Sequence, residues 1–266
     1  MIEKHTVSKV SASRYQRIFA LMRRERITRF AGGKLSEIWV YITPIFWIAL
    51  VAGAFGILGR IVPITTDPAL FVASGILPYA IFRQSITSMM RCIVANRLVL
   101  VMPSVSIPEV LIATAALELF TSFITSILVF SGISIIYGSS FPNQIENVVL
   151  AIFTAWLIGV SLGCLFVSFG TISDTVTRSV PIILRPVFWV SGVFYISAEL
   201  PANILEILSY NPLLHSIEFL REGYFFSYNA VISSVSYPIY FSAVCLTGAS
   251  LVFRWIDINK ASRHKA

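Results

Sequence analysis

Charge is scarce in this sequence. Asp, Glu, Lys and Arg make up 12% of the 266 residues, about half the share in an ordinary soluble domain. The apolar residues gather in long uncharged runs, and mean hydropathy is +0.82. Such a composition belongs to a membrane protein, so length counts spans rather than domains. Histidine occurs three times, as His5, His215 and His264, none inside a candidate span. A His–Asp–Ser constellation within the spans, which a membrane-embedded enzyme would need, is therefore missing. The three cysteines (Cys92, Cys164, Cys245) are odd in number and widely spaced, so neither a disulfide frame nor a zinc site is readable. No Walker A motif is present either: "FAGGKLSE" has a lysine after two glycines, but lacks the first glycine at the required spacing and a Ser or Thr after Lys34. ATP is expected to be hydrolysed elsewhere, and no cofactor is expected on this chain. No apolar run starts before Ile38, so a cleavable signal is not expected and the first span should be retained.

What is present is a series of apolar stretches. A helix crossing a hydrocarbon core of about 30 Å needs roughly 20 residues, and six segments meet that length: 38–59, 68–90, 108–137, 148–173, 179–196 and 231–253. The expected fold is all-α and polytopic, with six transmembrane helices. The net charge of +7 does not point to nucleic acid, because the basic residues collect at the two ends and in two short loops. Seventeen of the 20 Lys and Arg fall on the side of the termini and two, Arg60 and Arg221, on the other, with Arg83 left inside a span. By the positive-inside rule both termini are cytoplasmic. The expected organisation is a cytoplasmic interfacial segment over 1–37, a transmembrane domain over 38–256 and a basic tail over 257–266.

Within 1–37, Tyr15, Ile18, Phe19 and Met22 recur at helical spacing while Arg14, Arg17 and Arg24 fall elsewhere on the wheel. That pattern describes a basic amphipathic helix in the headgroup layer, the alternative being a disordered basic tail. Gly32-Gly33 lets the chain turn into the first span. In the fourth span "GVSLG" matches a nucleophile elbow at Ser161, but without a strand-to-helix turn or a histidine base it reads as Gly-x-x-x-Gly, a smooth patch for helix packing. The segment "ELPANILEILSYNPLLHSIEFLREGYFFSYNA" is long for a loop and split by Asn211-Pro212 into two short amphipathic pieces. Two half-helices re-entering the outer leaflet over 198–230 satisfy this pattern, as would a plain surface cap; the outer-gate residues are expected to be Asn211, Pro212, His215, Glu218 and Arg221. In the segment 91–107, a short apolar helix is bracketed by Arg91 and Arg97 and stopped by Pro103. It is either a knob seeking a partner groove or a membrane-surface turn.

These parts in this order resemble the ABC-2 type permeases, in particular the inner-membrane subunit of capsular polysaccharide exporters. The resemblance is carried by "GGKLSEIWVYITPIFW", "NRLVLVMP", "ILRPVFWVSGVFY" and "NPLLHSIEFLREGYF". It implies a homodimer, a separate ABC ATP-binding subunit that holds ATP and Mg, periplasmic co-polymerase-like and outer-membrane export partners, and a lipid-anchored anionic glycan as cargo. Other ABC-2 cargoes (an O-antigen, a teichoic acid or a drug) are the alternative. On this reading Asn96, Arg97, Leu98, Val99, Leu100, Met102 and Pro103 couple to the ATPase. Aromatic rings suit sugar C–H faces, and Phe188, Trp189, Tyr195 and Tyr237 with Arg185 are expected along the substrate pathway, although aromatics are also ordinary at membrane interfaces. Arg83 and Glu118 share a depth on consecutive spans and are expected to form an intramembrane ion pair, unless each snorkels to the headgroups.

Overall fold

The apolar runs fold into helices. In the computed structural model, which describes residues 13–29, 34–59, 62–64, 66–102, 105–138 and 141–263, every regular element is helical. α1 (Arg14–Arg29) precedes α2 (Lys34–Ile57), α3 (Pro68–Ala95), the single turn α4 (Arg97–Leu100), α5 (Ile107–Tyr137) and α6 (Ile145–Gly170). They are followed by α7 (Asp174–Val190), a 3₁₀ turn at Ser197–Glu199, α8 (Ala202–Leu208), α9 (Pro212–Tyr224) and α10 (Ser236–Arg263). Proline and glycine punctuate the series. Pro68 and Pro108 occupy first-turn positions of α3 and α5, where a missing N–H costs nothing, and Gly138 ends α5 at φ 64°.

Among the described residues five helices are long and apolar enough to cross a membrane: α2, α3, α5, α6 and α10. The segment expected as the fifth span, 179–196, does not form one helix. α7 begins five residues earlier, has 17 residues, and stops before Gly192, whose φ of +79° breaks the helix. At 1.5 Å per residue it is about 25 Å long, short of the hydrocarbon thickness. The sixth expected span is also displaced. α10 starts at Ser236, which puts Pro238 in its first turn, and runs to Arg263 through most of the expected tail.

α3 forms the centre of the bundle and packs on α6 through the glycine patch of "GVSLG". A Cβ on Gly159 would lie 2.6 Å from the Phe82 carbonyl oxygen, and one on Gly163 2.6 Å from Met89 Cβ. Close helix approach is the role of these glycines, and Ser161 Oγ simply donates back to Ile158 O at 2.9 Å. α10 covers the other side of α6, and α1 lies across the start of α5.

The chain direction follows from these contacts. The ends of α3 and α5 that flank α4 share one end of the bundle with α1. The other end holds the start of α3, the end of α5 and the start of α6. α9 runs along α6 toward this second end: Ser216 Oγ and Thr154 Oγ1 are hydrogen-bonded at 2.9 Å, and Gln144 N donates to Gly223 O at 2.8 Å. Thr154 lies nine residues into α6, about 13 Å along its axis. The α8–α9 elbow is therefore deeper than that, and Asn211 Nδ2 reaches Ser191 Oγ at 3.0 Å just past the end of α7.

Candidate translocation cavity, coupling surface and elbow

A cavity of about 890 Å³ lies between α2, α3, α5 and α7. It follows α3 from Ile76 to Arg91, roughly 22 Å of helix. Toward the α4 end of α3 it carries Arg83 and Arg91, with Arg185 entering from α7; farther along, Tyr79, Phe188 and Trp189 form its wall. The rings hold one another in place: Phe188 lies 4.8 Å from Tyr79 and 5.2 Å from Phe194 between centroids, and the Tyr79 hydroxyl donates to Leu184 O at 2.9 Å. α2 contributes Trp39, Thr43 and Trp47 from one face, and α5 contributes Glu118, Thr121, Ser122 and Thr125. Three guanidinium groups, one carboxylate and a wall of rings make a site for an anionic ligand with extensive C–H surface.

Of the expected pathway residues, Arg185, Phe188 and Trp189 line this cavity. Tyr195 and Tyr237 are elsewhere. The Tyr195 carbonyl accepts from Arg221, while the Tyr237 ring lies tilted against His215 at 4.9 Å and its hydroxyl donates to Tyr210 O at 2.8 Å. Arg83 and Glu118 both line the cavity, but no ion pair joins them among the described residues. The reason is rotational: equal depth fixes height along the axis but not the direction of the side chain. Glu118 is buried in the wall and Arg83 is exposed to the cavity. Trp39, Thr43 and Trp47 were missed, although their i, i+4, i+8 spacing was a legible stripe.

α1 does not present a single apolar face to lipid. Its Leu21 is buried in a cluster with Cys92, Val99, Val110 and Ala113, with Ile18 and Met22 packed against it, whereas Tyr15 and Phe19 are exposed. Polar ties fix the helix: Arg17 pairs with Glu109 at 2.7 Å, Thr114 Oγ1 donates to Glu25 at 2.6 Å, and Arg24 donates to Asn96 Oδ1 at 3.1 Å. The expected coupling residues consequently divide. Asn96 is buried and bonded to Cys92 O, and Val99 and Leu100 face the cluster; Arg97, Leu98 and Met102 are exposed, as are Val94 and Val101. Pro103 and the Gly32-Gly33 turn lie outside the described residues.

Four of the five expected gate residues, Pro212, His215, Glu218 and Arg221, are buried. Asn211 caps α9 by accepting from Leu213 N at 3.1 Å, with Pro212 in the first helical turn, and His215 Nε2 meets Ser209 O at 2.8 Å. Glu218 and Arg221 are fully buried and paired at 3.1 Å. The Arg221 guanidinium also donates to Tyr195 O at 2.7 Å and Val193 O at 3.1 Å, and lies 4.5 Å over the Phe71 ring. Glu218 accepts from the hydroxyls of Ser197 and Tyr228. α9 is thereby bolted to α3 and to the segment after α7.

Bundle, cavity and composition together define a multi-pass, all-helical membrane protein of the permease kind. Residues 16–225 match the ABC-2 type transporter family, and the chain belongs to that family. It is similar to the polysialic acid transport protein KpsM of Escherichia coli, 27% identical over 232 residues that cover 85% of this chain and 88% of that protein. It is also similar to the capsule polysaccharide export inner-membrane protein BexB of Haemophilus influenzae, 24% identical with 84% of each chain covered. A third relative is the capsule polysaccharide export inner-membrane protein CtrC of Neisseria meningitidis serogroup A, 24% identical over 85% of this chain and 86% of that protein.

Proposed function

We propose that this chain is the permease subunit of an ABC exporter that carries a lipid-anchored, anionic capsular polysaccharide across the bacterial inner membrane, driven by ATP hydrolysis with Mg on a separate subunit. The observation that carries the reading is the cavity: Arg83, Arg91 and Arg185 suit phosphate or acidic sugars, and Tyr79, Phe188 and Trp189 suit sugar faces. The relatives' capsule and polysialic acid names agree with it. On this reading the termini are cytoplasmic, which the Lys and Arg distribution supports. α7 with residues 191–196 completes a sixth, partly non-helical crossing, and α8–α9 is a re-entrant hairpin whose irregular backbone is sheltered by protein. Two copies meet across α2 and α7, which line the cavity with α3 and α5, and the cavities join there into one path.

The exposed Leu98, Val101 and Met102 form the knob that the ATPase subunit receives. Val99 and Leu100 belong to the α1 cluster, so a charge there would disturb the fold instead. Leu98→Asp with Val101→Asp is expected to leave the amount of membrane-inserted protein unchanged, lower surface glycan at least tenfold and strand polymer in the cytoplasm. Normal surface glycan in this variant contradicts the coupling role, and stranded material that is not a glycan contradicts the cargo.

A further inference from the structure

A second cleft, of about 640 Å³, opens at the end of the bundle remote from α4. Asp67 at the start of α3 and Asn143 before α6 face a set of rings: Phe141 from the α5–α6 connection, and Tyr224, Phe225 and Phe226 after α9. Two of the rings are almost wholly open to the surroundings, Phe141 at 82% and Phe226 at 88% exposure. An aromatic belt at a membrane surface favours Trp and Tyr over Phe, so the belt does not account for them. The Asp67 carboxylate makes no capping hydrogen bond to α3 and joins no ion pair among the described residues.

The charge of this end selects the ligand. Segments 58–67, 138–147 and 191–235 carry six carboxylates (Asp67, Glu146, Glu199, Glu206, Glu218, Glu222) against Arg60 and Arg221, a net of −4 on a chain of net +7. Glu218 and Arg221 neutralise each other in the interior, which leaves the surface more acidic than basic. An anionic glycan is repelled here, whereas the arginine-lined cavity attracts it. A carboxylate among aromatic faces is instead a receptor for a cation, because ring faces and the carboxylate both draw positive charge. Aromatic rings and arginine are also the commonest anchors of protein interfaces.

We propose that this cleft docks an extracytoplasmic protein partner by an Arg or Lys side chain seated between Phe141, Phe226 and Asp67. The proposal rests on the orientation given above, which places the cleft outside the cytoplasm. The test uses the full chain in intact cells, with the photo-cross-linker p-benzoylphenylalanine in place of Phe226. The expected adduct is a protein whose linked peptide carries Arg or Lys at the junction. Asp67→Lys should lower that adduct at least tenfold at an unchanged amount of membrane-inserted chain, and reversing the linked basic residue to Glu should restore it. Glu206→Lys, on the exposed α8, should leave it intact. Adducts with glycan or lipid alone, or an adduct indifferent to Asp67→Lys, overturn the proposal. An Asn229→Cys variant, at an exposed position outside the cleft lining, labelled in intact cells by a membrane-impermeant maleimide keeps the two readings apart. Labelling without a protein adduct overturns the docking cleft alone, and absence of labelling overturns the orientation together with it.

Discussion

Arg221→Met is expected to lower stability by about 3–5 kcal/mol, a large part of the 5–15 kcal/mol that holds a typical fold. The side chain is fully buried and holds two carbonyls, a carboxylate and a ring at once. Without it Val193 O and Tyr195 O lose their donors, and Glu218 keeps a negative charge in the interior with only the hydroxyls of Ser197 and Tyr228 and the Ser197 N–H to hold it. Arg221→Lys should recover little, because one ammonium cannot span the positions that the planar guanidinium fork reaches. Glu222, the next residue, has a buried carboxylate oxygen without a partner, so Glu222→Gln should be neutral or mildly stabilising. Thermal unfolding of the detergent-solubilised protein separates these outcomes. An Arg221→Met protein that melts with the wild type contradicts the view of this pair as the bolt between α9, α3 and the segment after α7.

Removing the cavity cations should have a comparably large effect, but on transport rather than assembly. Arg83 and Arg185 are both exposed to the cavity and neither takes part in an ion pair among the described residues, so Ala at either position leaves no orphaned charge in the fold. A charge-assisted hydrogen bond to a phosphate or carboxylate is worth about 1.5–3 kcal/mol, roughly ten- to hundredfold in affinity. Arg185→Ala and Arg83→Ala should each reduce surface glycan about tenfold or more with normal amounts of inserted protein, and the double variant should abolish export. Arg185→Lys should be intermediate, since it keeps the charge and loses the fork. Quantifying surface and intracellular polymer in the same cells checks this, and full export by the double variant removes the anion from the account.

The spans were legible because an apolar run of 20 or more residues with at most one or two charges admits few other readings, and α2, α3, α5 and α6 begin within four residues of the expected positions. α7 was misplaced because its prolines and charges sit inside the helix, while the uncharged "VSGVFYI" that looked like its second half contains the break at Gly192. Phe188, Trp189 and Arg185, expected together, do line one cavity because they share one short helix. Rotational position was the quantity that sequence did not supply. It misled the pairing of Arg83 with Glu118, the grouping of Val99 with Leu98, and the placing of Glu218 and Arg221 at the outer surface, since a buried pair three residues apart has the same spacing as a solvated one. Tyr228, Ser197 and Phe71, which complete that buried cluster, carry no local signal; they meet only through tertiary packing.

Passage of a glycan along the arginine- and aromatic-lined cavity can be read out at Trp189, which lines the cavity and is 64% exposed. A photo-cross-linker introduced there in full-length chain, in cells whose ATPase subunit binds but does not hydrolyse ATP, should yield a high-mass adduct that carries the cell's anionic polysaccharide. The adduct should disappear when glycan synthesis is blocked. Adducts with phospholipid or protein only, unchanged when the polymer is absent, would contradict the account.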